Sequence, residues 1–100
     1  TPTTGTAAGA VAKGAQHTFA ALPVVAGTRF VVTMTGTGDP DLYVKFGAAP
    51  SLTAFDCRPY ANGASETCTL TVPAGQTQAF LMVHGYQAST FSLNIQYTRP

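Results

Sequence analysis

The sequence predicts an all-β chain, an antiparallel β-sandwich of about seven or eight short strands. Three observations carry this expectation. Apolar residues alternate with hydroxyl residues at a period of two through most of the chain, as in R-F-V-V-T-M-T and F-S-L-N-I-Q-Y. Glycine, proline and an Asn62-Gly63 pair punctuate the alternating runs with turn signals. No segment combines helical periodicity with helix caps.

The composition fits a folded domain. One hundred residues can bury about two-thirds of the surface of the unfolded chain. Charged residues make up 9% and hydrophobic residues 45%, whereas an ordinary soluble chain is roughly 25% charged. That balance favours packing over disorder. The net charge is +1 with no run of Lys or Arg, so neither nucleic acid nor an anionic membrane is expected as a partner. No apolar run approaches the roughly 18 residues that a membrane helix needs. Residues 1–14, rich in Thr, Ala and Gly, read as a linker remnant, and residues 15–100 as a single domain cut from a longer protein.

Each strand has its own signal. Residues 16–22 alternate weakly, and 23–27 form a turn around Pro23 and Gly27. Residues 28–35 alternate cleanly, with Phe30, Val32 and Met34 on one face, and Gly36 and Gly38 are expected to end the strand. In residues 41–46, Leu42, Val44 and Phe46 face one way while Asp41, Tyr43 and Lys45 face the other. Residues 52–57 are expected as a short strand before a turn at Pro59 and Asn62-Gly63. Residues 66–72 turn Cys68, Leu70 and Val72 inward. Residues 78–85 are apolar on both faces, as a central strand would be, and Phe91, Leu93, Ile95 and Tyr97 define the last strand.

The chemistry gathers between Gly36 and Thr69. This stretch holds all four acidic residues, Asp39, Asp41, Asp56 and Glu66, and both cysteines, Cys57 and Cys68. The cysteines bracket a short polar loop, an arrangement that suits a disulfide in an oxidising, extracellular compartment better than a metal site. No catalytic residue is assigned, because His17 and His84 stand in strands with no carboxylate near them in sequence and no nucleophile signature is present. The acids have two readings. Asp39, Asp41, Asp56 and Glu66 could supply oxygens to a calcium ion, Asp39 and Asp41 being two apart and Asp56 and Glu66 drawn together by the cysteines. Alternatively, Asp39 caps its turn and Asp41 pairs with Lys45 or Arg58. Tyr43, Tyr60 and Tyr86, with Phe55, fall outside the inward-facing pattern and are the candidates for a ligand surface, or else for a cover over the sheet edge.

The segments G-D-P-D-L-Y-V-K-F-G, A-F-D-C-R-P-Y and E-T-C-T-L, with the later L-M-V-H-G-Y-Q-A-S-T-F-S-L-N-I-Q-Y, make the chain resemble the bacterial pre-peptidase C-terminal domain from about Ala15 to Tyr97. The resemblance implies a jelly-roll-like β-sandwich appended to a secreted bacterial hydrolase, most often a peptidase, with the catalytic domain in the same chain. Such domains are non-catalytic and are associated with secretion, solubility or attachment to an insoluble protein or polysaccharide. The alternative is a calcium-stabilised structural domain that shields or chaperones its parent without binding substrate. The related collagen-binding domains of clostridial collagenases hold calcium near their linker and present tyrosines to collagen. Here residues 1–14 contain no acid, so that linker site does not carry over and calcium would fall to the four acids named above.

Overall fold

A computed structural model describes residues 2–58 and 65–100. Eight strands form two antiparallel sheets, and no helix is present among the described residues. In chain order they are β1 (Pro2–Val11), β2 (Gln16–Thr18), β3 (Leu22–Pro23), β4 (Arg29–Thr37), β5 (Pro40–Phe46), β6 (Glu66–Thr71), β7 (Gln78–Gly85) and β8 (Ser89–Thr98). One sheet runs β1-β8-β4-β6; in the other, β7 is central, with β2 and β3 along one side and β5 along the other.

The period-two pattern decides which faces meet. Phe30, Val32 and Met34 from β4 and Phe91, Leu93 and Ile95 from β8 point inward from the first sheet. Leu42, Val44 and Phe46 from β5 and Ala79, Leu81 and Val83 from β7 face them from the second. Burying one such side chain contributes about 1.5–3 kcal/mol, which is what holds the sheets face to face. Phe30 meets Phe46 edge to face across the sandwich, with 5.5 Å between ring centroids. The apolar outer positions of β7 match its central place, Met82 being fully buried opposite Tyr43.

Local expectations are corrected at four places. Residues 2–11, expected as linker, form β1 and pair with β8 over ten residues. Their inward positions are small, and the aromatic rings of β8 fill the space: a Cβ on Gly9 would come within 3.0 Å of the Phe91 ring, and Gly5 lies beside Tyr97. A large ring covering a glycine on a neighbouring edge strand replaces the side chain that the strand lacks. Next, β4 does not stop at Gly36 but continues to Thr37, because Gly36 allows a backbone approach in which any Cβ would strike the carbonyl oxygen of Thr90. Finally, residues 52–57 are not a strand; only Cys57 makes a bridge, to Val44. The weak run 16–22 divides into β2 and β3, whose registers on β7 (Gln16 with His84, Leu22 with Ala79) differ by one residue.

Candidate functional site

Asp56, Cys57 and Glu66 converge on the outer side of β5. That strand pairs with β7 on one side only, and on the other its alternate N–H groups need acceptors. All three find one. Leu42 N–H donates to Glu66 Oε1 at 2.8 Å, Val44 N–H to the Cys57 carbonyl at 2.9 Å, and Phe46 N–H to Asp56 Oδ2 at 2.7 Å. The Val44 carbonyl in turn accepts from the N–H groups of Asp56 and Cys57. The Cys57–Cys68 disulfide fastens this cover to β6, two residues beyond Glu66. Closing a loop of that length stabilises by roughly 3 kcal/mol in the chain-entropy account.

Glu66 is the costly member of the set. It is 3% exposed, and while Oε1 accepts from Leu42, Oε2 is buried with no hydrogen-bond partner. Asp39 and Asp41 stand beside it, and one carboxylate oxygen from each of the three lies within 4.8 Å of the others. Asp39 is held by its backbone: its N–H donates to Ser89 Oγ at 3.0 Å and its carbonyl accepts from Tyr86 N–H at 3.2 Å. Its Oδ1 is also buried without a partner. Asp41 faces His84 across the β5–β7 pair, with His84 Nδ1 4.0 Å from Asp41 Oδ2.

Burial pushes the Glu66 carboxyl up to about 7; the Leu42 N–H opposes this, while Asp41 and Asp39 add to it and Arg58 draws it down. Asp41 is also raised, first by burial and then by Asp39, with Arg58 and His84 acting the other way. Burial where water is scarce and the neighbouring acids thus both disfavour charge on Glu66 and Asp41. What the arrangement can do chemically is accept protons or hold a cation. The Ser89 hydroxyl in this corner accepts from Asp39 N–H and donates to the Gln87 carbonyl, so its proton is directed at the backbone.

Of the four acids singled out in the sequence, then, Asp39, Asp41 and Glu66 are brought together, and Asp56 is not: its carboxylate is committed to Phe46. Tyr43 is corrected from a ligand-surface candidate to a buried residue, 1% exposed. The Phe55 ring packs edge to face on it at 5.5 Å and the Arg58 guanidinium lies 5.1 Å from its centroid, a cation–π cover over the outer face of the sheet. Tyr86 is 62% exposed. Tyr60 lies outside the described residues. Ser89 and His84 went unnoticed as members of this corner, because they reach it through strand register, for which no local motif exists.

A family model for the bacterial pre-peptidase C-terminal domain matches residues 22–85. The chain is 47% identical over 73 residues to the alkaline serine exoprotease A of Vibrio alginolyticus, covering 71% of this chain and 13% of that protein. It is 44% identical over 93 residues to an extracellular protease of Xanthomonas campestris pv. campestris, covering 92% of this chain and 15% of the relative. The chain therefore spans only a small part of the length of these relatives. Among solved structures, a periplasmic inhibitor of g-type lysozyme from Aeromonas hydrophila superposes with a TM-score of 0.76 at 16% identity, covering 95% of this chain and 86% of the inhibitor. That likeness speaks for the fold alone.

The raised carboxyl of Glu66 gives the metal-free chain an unusual pH dependence. A carboxyl that holds its proton more tightly when folded contributes stability that is complete below its unfolded value of 4.5 and is lost as pH rises through about 7. Urea denaturation in chelator should therefore find the chain more stable at pH 5 than at pH 8, by on the order of 2–3 kcal/mol from this group. Glu66→Gln keeps an acceptor for Leu42 and should flatten that difference. Equal or greater stability at pH 8 in the unsubstituted chain would contradict the assignment.

Proposed function

The chain belongs to the bacterial pre-peptidase C-terminal domain family, a non-catalytic part of larger protease chains, and on that footing we propose that it serves a secreted bacterial peptidase by keeping the parent soluble and folded through export. The observation that carries this reading is the sealed outer side of β5. Two carboxylates, a carbonyl and a disulfide are spent there on closing an edge that would otherwise recruit other chains. A disulfide of this kind suits an extracellular location. Attachment to an insoluble protein or polysaccharide has less in its favour. Tyr43 is buried, and among the described residues Tyr86 and Leu52 are the exposed large apolar side chains, too few for a stacking platform.

Deleting the domain from its parent and measuring soluble protease in the culture medium tests this function. The expected result is a clear fall in secreted, soluble enzyme with the catalytic domain otherwise active. Unchanged secretion and solubility, or retention of the domain on collagen, chitin, cellulose or starch beads, would overturn it.

A second reading concerns calcium. The favouring observation is specific: Glu66 Oε2 and Asp39 Oδ1 are buried without partners in a corner where the oxygens of Asp39, Asp41 and Glu66 crowd together. Hard oxygens of this kind suit a divalent cation, which would offset the mutual repulsion of the three carboxylates. On this reading Asp39, Asp41 and Glu66 would hold the ion and Asp56 would not. Millimolar calcium should raise Tm at pH 8 by mass action and do little at pH 5, where Glu66 keeps its proton. Asp39→Asn should abolish the rise. No shift at pH 8 would dispose of the site without touching the export role.

A further inference from the structure

The edges of the two sheets are treated unequally, and the exception is β1. The β2 and β3 edge is short, three and two residues, and ends in Pro23. The β5 edge is covered, as described above. β6 is six residues long and is tied at Cys68 to the cover. By contrast, β1 runs for ten residues as the terminal strand of its sheet. It has no charged residue from Pro2 to Val11 and no proline after Pro2. Short length, charge, proline and coverage are the usual means of blunting an edge, and β1 carries none of them beyond its first residue.

Ladder parity shows which groups face the opening. Val72 N–H donates to the Thr28 carbonyl, so the even-numbered residues of β4 bond toward β6 and its odd-numbered residues toward β8. With the β4–β8 and β1–β8 registers, Thr33 opposite Asn94 and Ala7 opposite Leu93, the odd residues of β1 bond to β8. The N–H and C=O groups of Thr4, Thr6, Ala8 and Ala10 therefore point to the open side. Their side chains are the exposed ones of the strand.

We propose that this edge pairs antiparallel with β1 of a second copy of the chain, joining two four-stranded sheets into one across a two-fold axis. Charge selects this occupant. Like charges directly opposite one another destabilise a strand pair, and a strand meets its own copy with every charge doubled. β1 has none to double, whereas the outer side of β5 is already occupied by the Asp56 and Glu66 carboxylates. An antiparallel pairing of a strand with itself is also closed by symmetry, so it stops at two copies and does not grow into a fibre. Centred on Thr6, the pairing places Thr4 against Ala8, even residue against even residue, as the open donors and acceptors require.

Sedimentation velocity on this chain, from micromolar to near-millimolar concentration, tests the proposal. The expected result is a reversible monomer–dimer equilibrium. Ala8→Pro removes one outward N–H and no bond to β8, since proline is tolerated on the open side of an edge strand. Thr6→Lys sets like charges opposite. Each should abolish the dimer while leaving circular dichroism and Tm close to those of the unsubstituted chain. Amide exchange on the unsubstituted chain reads the same parity without a variant: the amides of Thr4, Thr6, Ala8 and Ala10 should slow as concentration rises, and those of Gly5, Ala7 and Gly9 should already be slow. A chain that stays monomeric throughout, a dimer that survives in folded Ala8→Pro and Thr6→Lys, or exchange at the even amides that ignores concentration would each overturn the proposal.

Discussion

The structure depends on how the outer side of β5 is closed. That strand brings Leu42, Val44 and Phe46 into the core, so it cannot be moved or shortened, yet only one of its sides has a partner strand. The N–H groups of the same three residues are satisfied by Glu66, Cys57 and Asp56. A single missing acceptor would leave a half-buried donor unpaired, at a cost of about 1–3 kcal/mol. The disulfide connects two of the three closures, because Cys57 supplies one carbonyl and Cys68 lies two residues from Glu66. The cluster of acids and cysteines in the middle of an otherwise nearly uncharged sequence is thus foremost an edge seal.

The two carboxylates in that seal differ in their consequences. Asp56 is exposed, so its charge stays hydrated while it accepts from Phe46. Glu66 is buried beside two other acids and carries an oxygen that nothing satisfies. An acceptor that served only the backbone could have been an amide, with no charge to bury. The use of a carboxylate there makes the corner responsive to protons, and it is also what makes the cation reading attractive.

Much of the fold was legible because period-two alternation carries hydrophobic contrast. The core faces of β4, β5, β6 and β8 and the central place of β7 follow from it directly. β1 was not legible, since Thr, Gly and Ala provide no contrast and the apolar mass that anchors it, Phe91 and Tyr97, belongs to β8. Tyr43 misled for a related reason. Its alternation marks an outward position, which is correct, but the cover formed by Phe55 and Arg58 comes from a loop that leaves no periodic signal. In the acidic corner, the proximity of Asp39 and Asp41 could be read from their spacing. That Glu66 joins them while Asp56 turns to Phe46 is a matter of register and loop path, to which local sequence is silent.

One segment therefore marks the family and holds the sandwich together. The distinctive surface lies elsewhere, on an edge made of small uncharged residues. Native-state amide exchange at Leu42, Val44 and Phe46 tests the central claim most directly. If β5 is sealed as described, these amides should exchange within about tenfold of Leu81 and Val83 in the central strand. Exchange as fast as that of exposed loop amides, with the disulfide intact, would contradict the account.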